Sequence, residues 1–363
     1  MIRDDLPLAE AIRSALPHVP LAELPTPVQR LDRLSERLGV ELWAKRDDLC
    51  SPEYGGNKVR KFEHLLAAAR DRGARSVITF GAVGSNHVTA TALFARRLGL
   101  HCAAAVFPQP MSGYARENLR ADQALGVRLA FVPSPLLTPA AALALWIRLR
   151  RDRDTSPPYL VAPGGSTPLG TVGMVAAACE LAGQVRAGMI PEPDRLYVPL
   201  GSCGTAAGLA AGVAAAGLRT QVIAVRVVDR VLANAALTRR MARRTAALLR
   251  RALPGFPEGD PAAPLRVRHE QFGRAYAHFT RAGQEAVRLA ADEEGLALEG
   301  TYSGKALAAL VADARAGALA GRTALFWITC NGQDLSALAA QGDPVQLPPA
   351  IRREFEKADH VAS

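Results

Sequence analysis

Short apolar runs alternate with longer amphipathic segments along the chain. In the first half, this pattern predicts strands at 41–45, 76–80, 101–107 and 127–132. Helices are predicted between them, at 59–72, 88–98 and 116–125. Strands that alternate with helices pair in parallel, because each crossover returns the chain to the same end of the sheet. The pattern therefore predicts an α/β fold with a parallel sheet and helices packed on its faces.

The second half of the chain repeats the alternation. Strands are predicted at 159–161, 194–200, 220–227 and 324–329. Helices are predicted at 139–152, 170–187, 206–216, 231–252 and 280–293, and the C-terminal end is expected to be irregular.

Composition narrows the class of protein. Apolar residues make up 49% and charged residues 21% of the 363 positions, which is typical of a globular chain with a large core. No apolar run reaches the length of a membrane span, and residues 1–6 lack the features of a secretory signal. The cysteines, at positions 50, 102, 179, 203 and 330, are odd in number and scattered. We therefore expect a cytoplasmic protein with reduced thiols and without a disulfide framework or a metal site.

The net charge of +10 raises nucleic acid as a partner. Arginine supplies nearly all of this charge, and it is spread along predicted helices among acidic residues. The densest cluster, 239–244, is typical of a solvated helix face, and positive potential also favours an anionic cofactor or substrate. We therefore expect neither nucleic acid nor a membrane as a partner. A nucleic-acid binder remains an alternative that rests on net charge alone.

Lysine is rare in this chain, and its distribution is uneven. The sequence holds five lysines, and three of them fall between positions 45 and 61. Lys58 follows a Gly-Gly-Asn turn and Lys61 lies three residues later. A lysine can lose its proton and act as an amine nucleophile, whereas arginine stays protonated. The pattern indicates either a catalytic amine or a solvated helix start.

Three further loops follow predicted strands or open predicted helices. The loop 201–205, Gly-Ser-Cys-Gly-Thr, places backbone N–H groups and hydroxyls at a helix start, which suits a phosphate or a close-packed turn. Ser85 and Asn86 are helix caps or ligand contacts, and His87 is a cap neighbour or a general base. Tyr302 is a core aromatic or a ring stacked on a flat cofactor.

Five motifs occur in a fixed order. They are KRDDL at 45–49, GGNKVRK at 55–61, GSNH at 84–87, GSCGT at 201–205 and YSGKAL at 302–307. Together they resemble the D-cysteine desulfhydrase / 1-aminocyclopropane-1-carboxylate (ACC) deaminase family of pyridoxal-phosphate enzymes, which has the tryptophan-synthase-β (fold type II) architecture. The resemblance runs from about residue 24 to about residue 335, and GGNKVRK is its most specific part.

The resemblance implies a set of cofactor contacts. Lys58 matches the lysine that forms an imine with the cofactor aldehyde, and Lys61 matches a second lysine near the phosphate. Asn86 matches the hydrogen-bond donor to the 3′-oxygen, and Ser303 takes the place of the partner of the pyridine nitrogen. The implied phosphate contacts are Gly201, Ser202, Cys203, Gly204 and Thr205.

The resemblance also implies catalytic and substrate residues. Lys58, once released from the cofactor, is expected to act as the base at Cα. Ser85 matches a serine near the substrate carboxylate that takes part in proton transfer, and Asn86 and His87 join it as substrate residues. Tyr302 resembles the tyrosine beside the pyridine ring, and Tyr276 a further active-site tyrosine.

The architecture implied by the resemblance has two three-layer α/β/α domains with twisted, mostly parallel sheets. A small domain, 62–175, is inserted in a large cofactor-binding domain formed by 1–61 and 176–363. The cofactor is expected in the cleft between them, and the enzyme is expected to be a homodimer that acts on a small amino acid.

The residue type at position 303 distinguishes two branches of the family. The deaminase branch has a glutamate there, which keeps the pyridine nitrogen protonated for ring opening, whereas a serine hydroxyl suits β-elimination. We therefore expect D-cysteine desulfhydrase-like α,β-elimination that gives a 2-oxo acid and ammonia. The sequence departs from the family at 50–54, 299–302 and 328–332. ACC deaminase-like ring opening, β-replacement and a catalytically silent cofactor-binding protein therefore stay open.

Overall fold

The computed structural model describes residues 7–153 and 156–358. The strands are β1 (Val28–Arg30), β2 (Glu41–Lys45), β3 (Ser76–Ala82), β4 (His101–Phe107), β5 (Arg128–Phe131), β6 (Tyr159–Leu160), β7 (Arg195–Leu200), β8 (Gln221–Arg226), β9 (Leu265–Arg268) and β10 (Thr323–Trp327). The helices are α1 (Leu8–Ser14), α2 (Asp32–Leu38), α3 (Lys58–Asp71), α4 (Asn86–Arg97), α5 (Gly113–Ala124), α6 (Thr138–Arg153), α7 (Pro168–Arg186), α8 (Gly204–Ala215), α9 (Ala235–Ala252), α10 (Arg281–Glu294), α11 (Ser303–Arg315), α12 (Ser336–Ala339) and α13 (Pro349–Phe355). Residues 1–6, predicted to lack a secretory signal, and the last residues of the predicted large domain, 359–363, lie outside the described residues.

The chain divides into two compact units. The first comprises the described chain up to His64 together with Ser166–Gly332, and the second comprises Leu65–Gly165 and the described chain from Gln333 onward. The sequence predicted boundaries at 61/62 and 175/176 and a large domain that includes the whole C-terminal segment. The structure groups that segment with the second unit, because α12 packs on α5 and the Asp343 N–H donates to Gln123 Oε1 at 2.9 Å.

The first unit is a sheet between two layers of helices. Its six strands lie in the order β1-β2-β10-β7-β8-β9, and only the edge strand β1 runs antiparallel to its neighbour. Apolar side chains of α7 and α8 pack on one face, and those of α2, α10 and α11 pack on the other. The predicted α/β class with mostly parallel strands is therefore confirmed.

The second unit has a smaller parallel sheet. Its four strands lie in the order β5-β4-β3-β6, and every pair is parallel. Buried alanines of β4, Ala103 and Ala105, pack with Leu145 and Leu149 of α6. Helix α4 packs on β3 and β4 and also contacts α5. The two helices α4 and α5 therefore form a layer in which the loop before α4 is held.

Four charged side chains lie buried together in the first unit: Lys45, Asp47, Arg60 and Glu180. Lys45 Nζ lies 2.6 Å from Glu180 Oε1, and Arg60 Nη2 lies 2.7 Å from Asp47 Oδ1 and 3.0 Å from Glu180 Oε1. Lys45 ends β2, Arg60 is in the first turn of α3, and Glu180 is in α7. The cluster carries two positive and two negative charges, so it is electrically neutral. Because Arg60 belongs to both the cluster and the first turn of α3, the cluster fixes where α3 begins.

Replacing Glu180 with glutamine should destabilise the protein. Burial raises the pKa of Glu180, but the charges of Arg60 and Lys45 outweigh burial and lower the pKa to about 2. This folded-state pKa lies below the ordinary value for glutamate. The ionised Glu180 therefore makes its full contribution to the free energy of unfolding above about pH 4.3, and this contribution is lost as the pH falls toward 2. We expect Glu180→Gln to lower the free energy of unfolding by about 3 kcal/mol at pH 7, measured by urea denaturation.

The control for this prediction is Glu285→Gln. Glu285 pairs with Arg315 at 3.1 Å, and both side chains are about half exposed, so we expect this change to cost less than about 1 kcal/mol. The difference between wild type and Glu180→Gln should shrink as the pH falls below about 4. Equal stabilities of the two variants at pH 7 would contradict the role of the cluster.

Candidate active site

Two glycines shape the turn before α3. A Cβ on Gly55 would lie 1.7 Å from the carbonyl oxygen of Asp48, and a Cβ on Gly56 would lie 2.6 Å from that of Thr329. Gly56 also has a φ of +96°, in the left-handed region that side chains avoid. The backbone therefore approaches two other segments closely here, and only glycine fits. This turn places Lys58 at the first residue of α3.

The Lys58 amine lies in a setting that favours its neutral form. Burial lowers the pKa of Lys58 to about 8, although the negative charge of Glu299 opposes this shift. Lys58 Nζ donates to Asn57 Oδ1 at 3.0 Å. A lysine with this pKa has an appreciable neutral fraction at physiological pH, so it can attack a carbonyl.

Asn57 connects Lys58 to the glycine loop at 201–205. Its Nδ2 donates to Thr205 Oγ1 at 2.7 Å, while its Oδ1 accepts from Lys58. Asn57 is buried, so both ends of its amide are used. In the sequence Asn57 is part of the Gly-Gly-Asn turn, and no role was predicted for it. Its position immediately before the rare lysine was the available signal.

The glycine loop at 201–205 joins β7 to α8. A Cβ on Gly204 would lie 2.5 Å from Ser166 Oγ and 3.1 Å from Lys61 Nζ, so these two groups converge on the helix start. The first-turn N–H groups of an α-helix have no partners within the helix, and its positive dipole end attracts anions. Cys203 holds a left-handed φ of +68°, and its Sγ donates to the carbonyl of Leu232 at 3.7 Å.

Ser166 contacts the glycine loop from another part of the chain, and the sequence pattern gave it no role. Its Oγ lies 2.8 Å from Ser202 Oγ and accepts from the Gly204 N–H at 3.2 Å. Lys61 Nζ lies 3.5 Å from the same oxygen. Ser166 therefore links the buried Lys61 to Ser202 and Gly204 of the glycine loop.

The buried position of Lys61 favours an anion beside it. Burial and then repulsion from Lys58 lower the pKa of Lys61 well below its usual value, and Cys203 opposes this only in part. A dianionic group at the start of α8 would stabilise the charged amine. Lys61 and the glycine loop therefore suit a phosphate better than a neutral ligand.

Two predicted tyrosines lie together beside the glycine loop. A Cβ on Gly201 would lie 3.2 Å from Tyr302 Cε1, so the Tyr302 ring packs against the loop. The hydroxyls of Tyr276 and Tyr302 are 2.9 Å apart, and their rings meet edge to face with centroids 6.2 Å apart. Burial raises the pKa of Tyr276, and its bond to Tyr302 opposes this shift. Tyr276 is therefore protonated at neutral pH.

Ser303 is bound by a carboxylate that the sequence analysis did not identify. Ser303 Oγ donates to Glu299 Oε1 at 2.9 Å, and the Ser303 N–H donates to the same oxygen at 2.6 Å. Glu299 also accepts from the N–H groups of Thr301 and Tyr302, so it caps the start of α11. A glutamate four residues before the helix-opening serine was the available signal.

Ser85, Asn86 and His87 belong to the second unit. Ser85 is the N-cap of α4, and its Oγ accepts from the His87 N–H at 3.2 Å. His87 is buried, with Nε2 2.9 Å from Thr79 Oγ1. Asn86 accepts a hydrogen bond from Asn118 at its Oδ1 and keeps part of its surface exposed, as does Ser85.

Comparison with known proteins identifies the family. The family model for pyridoxal-phosphate dependent enzymes matches residues 19–329. The chain belongs to this family. Pyridoxal phosphate is therefore its cofactor, and the predicted fold type II architecture is confirmed. Lys58, Lys61 and the glycine loop all lie within the matched region.

Named relatives of this pyridoxal-phosphate enzyme differ in activity. It is 39% identical to nocardicin C-9' epimerase of Nocardia uniformis subsp. tsuyamanensis, over 87% of this chain and 93% of the relative. It is 34% identical to D-cysteine desulfhydrase of Serratia proteamaculans (strain 568), over 81% and 87% of the two chains. The crystal structure of an ACC deaminase homologue matches with a TM-score of 0.78 and 28% identity, over 93% and 99%.

The first unit of this enzyme fits the cofactor. Its glycine loop leaves space that a Cβ at Gly204 would fill, and hydroxyls, helix N–H groups and Lys61 surround that space. A reactive amine at Lys58 is joined to the same loop through Asn57. A phosphate and an aldehyde are the two groups that these residues suit, and pyridoxal phosphate carries both.

Features of other functional classes are absent from residues 7–153 and 156–358. Within these ranges, no three His, Cys, Asp or Glu side chains are grouped so that they could hold a metal ion. No helix described there is long and apolar enough to cross a membrane. The five cysteines are buried and free of disulfides.

The pKa of Lys58 predicts how the apoenzyme takes up its cofactor. Because the neutral amine is the nucleophile, the rate of covalent uptake of pyridoxal phosphate should rise with pH through a midpoint near 8. Stopped-flow absorbance of the apoenzyme measures this rate. Glu299→Gln should move the midpoint lower, because Glu299 is the charge that raises the pKa of Lys58. A midpoint near 10 in both proteins would contradict the assignment.

Proposed function

We propose that this enzyme removes the Cα proton of a small amino acid and catalyses α,β-elimination, in which one water is consumed and a 2-oxo acid, ammonia and the eliminated group are released. The observation that carries the proposal is the amine of Lys58, with a pKa lowered to about 8, joined through Asn57 to a phosphate-binding loop. The 34% identity to D-cysteine desulfhydrase supports this reaction and suggests a D-amino acid as substrate.

The chain's own residues supply binding and proton transfer. Lys61, Ser166 and the residues of the glycine loop, Gly201, Ser202, Cys203, Gly204 and Thr205, hold the phosphate. Pyridoxal phosphate, when bound, supplies an electron sink for the charge left on Cα. Lys58 Nζ, once free, accepts the Cα proton, and its hydrogen bond to Asn57 keeps the amine directed.

The second unit supplies the remaining predicted contacts. Asn86 donates to the 3′-oxygen of the cofactor, and Ser85 binds the substrate carboxylate and takes part in proton transfer. Both residues keep part of their surface exposed at the start of α4, which suits a ligand contact. His87 stays a predicted substrate residue, and its bond to Thr79 holds the first turn of α4 in place.

Ser303 and the tyrosines favour elimination over ring opening. Ser303 is uncharged, and its hydroxyl already donates to Glu299. Without a carboxylate of its own, Ser303 does not by itself keep a pyridine nitrogen protonated, which cyclopropane opening requires most. Elimination needs less stabilisation of the Cα charge, because a leaving group departs. Tyr302 and Tyr276 share a hydrogen bond, and this pair can donate a proton to the leaving group.

Epimerisation at Cα is the second candidate function. The 39% identity to nocardicin C-9' epimerase across 87% of this chain favours it. Both reactions begin with removal of the Cα proton, and they differ in whether a leaving group departs or a proton returns to the opposite face. One stretch that departs from the family pattern, 328–332, contacts the turn before Lys58, since the Gly55 N–H donates to Asn331 Oδ1 at 2.7 Å. This stretch is where we expect substrate choice to be decided.

The proposal also covers the compartment, the domain organisation and the oligomeric state. We place the enzyme in the cytoplasm, because its five buried cysteines form no disulfides. The second unit, 65–165 together with the described chain from Gln333 onward, acts as the small domain, in place of the predicted segment 62–175. We propose a homodimer, since exposed apolar side chains cluster on α6 and just before it, at Leu136, Leu137, Leu143 and Ile147. Light scattering that gives the monomer mass would contradict the homodimer.

Turnover in D₂O separates these functions. The holoenzyme is incubated with D- and L-cysteine and with other small amino acids. Deuterium at Cα is followed by NMR, oxo acid by a coupled assay, and inversion by chiral chromatography. Elimination predicts oxo acid with sulfide from one enantiomer of cysteine. Epimerisation predicts deuterium incorporation with inversion and no oxo acid.

The Lys58→Ala variant is the decisive comparison in this assay. We expect it to lose Cα exchange by at least about a thousandfold, because both the nucleophile and the base are removed. Lys357→Ala, at an exposed lysine paired with Glu354, is the matched control and should retain full activity. Unchanged exchange in Lys58→Ala would refute the proposal, and cofactor binding without exchange on any amino acid would indicate a silent protein.

A further inference from the structure

The loop that carries Asn86 lies directly against α5. Gly84 has a φ of +76°, and a Cβ there would lie 2.3 Å from the carbonyl oxygen of Ala115. Asn118 lies one helical turn after Ala115, so its side chain is on the same side of α5. Any change in α5 is therefore transmitted to this loop by direct contact.

Asn118 makes two hydrogen bonds to the loop. It is 3% exposed, and its Nδ2 lies 2.6 Å from Asn86 Oδ1 and 3.1 Å from the carbonyl oxygen of Gly84. A backbone carbonyl can only accept a hydrogen bond, so the Asn118 atom that faces Gly84 is the nitrogen. That nitrogen donates, so the Asn86 atom facing it is the amide oxygen. The hydrogen-bond pattern itself therefore sets the direction of the Asn86 amide.

We propose that Asn118 is a positioning residue that fixes Asn86 with its oxygen toward α5 and its two N–H donors directed away from α5. This inference rests on the proposed function, in which Asn86 donates to the 3′-oxygen of the cofactor. That oxygen is an acceptor and carries negative charge, so an Asn86 turned the other way would present oxygen to oxygen. Asn118 prevents that arrangement without touching cofactor or substrate.

The surroundings of Asn118 hold it in place. Thr89 Oγ1 lies 3.5 Å from the Asn118 carbonyl oxygen and 3.4 Å from that of Ser85, so it connects α5 to the loop. Further along α5, a Cβ on Gly342 would lie 2.2 Å from the carbonyl oxygen of Arg120. Helix α5 is therefore packed on both the loop side and the C-terminal side, and Asn118 has little freedom to follow a change in Asn86.

A double-mutant cycle on cofactor binding tests this proposal. The proteins are wild type, Asn118→Leu, Asn86→Ala and the double variant, with Asn118→Ala as a second variant if leucine prevents folding. The Kd for pyridoxal phosphate is measured by titration of each apoenzyme. The pH midpoint of the bound cofactor's visible absorbance is the second readout. Asp122→Asn, one turn later on α5 and equally buried, is the matched control.

We expect Asn118→Leu to weaken cofactor binding about tenfold and to shift the absorbance midpoint, because the Asn86 amide is no longer held. In the Asn86→Ala background the same change should alter the Kd less than about threefold, because its target is gone. Asp122→Asn should bind as wild type does.

Three results would overturn the inference. One is an equal loss from Asn118→Leu in both backgrounds, which is the signature of a purely structural role. Another is no change in wild-type background in either readout. The third is an equal loss from Asp122→Asn. A wild-type apoenzyme that binds no cofactor would overturn the proposed function as well, whereas an enzyme that binds normally but shows no coupling would overturn only this inference.

Discussion

The start of α3 depends on four buried charges that neutralise one another. Lys45, Asp47, Arg60 and Glu180 come from separate elements of the first unit, and each has its partners within hydrogen-bond distance. Burying an unpaired charge costs several kcal/mol, so the arrangement is stable only when all four are present. Because Arg60 is fixed in this cluster, the turn before α3 and the lysine that opens the helix are fixed with it.

This constraint allows an unfavourable arrangement at the functional site. The first turn of α3 carries Lys58, Arg60 and Lys61 and no acidic residue, although a helix N-terminus disfavours positive charge. Arg60 is neutralised by the cluster, whereas burial lowers the pKa of both lysines. The start of α3 is therefore locally unfavourable at the place where the chemistry needs a neutral amine and a site for an anion.

Local patterns predicted most of the fold, and long-range contacts explain what they missed. Strands β2 and β4 match the predicted ranges because their alternation and apolar runs are strong. Helix α13 was missed because the irregular end was judged without knowledge of its packing on the second unit. Lys58 and the glycine loop had local signals, a rare residue and a run of small residues. Ser166 and Asn118 had no local signal in the sequence, because their hydrogen-bond partners lie 36 and 32 residues away.

The central claim is that the amine at position 58 carries the cofactor. Borohydride reduction of the holoenzyme makes any covalent attachment permanent, and mass spectrometry of the digested protein then locates the added mass. We predict a single modified peptide, with pyridoxal phosphate on Lys58 and none on Lys61. Modification of Lys61, of Lys305 or of no lysine would contradict it.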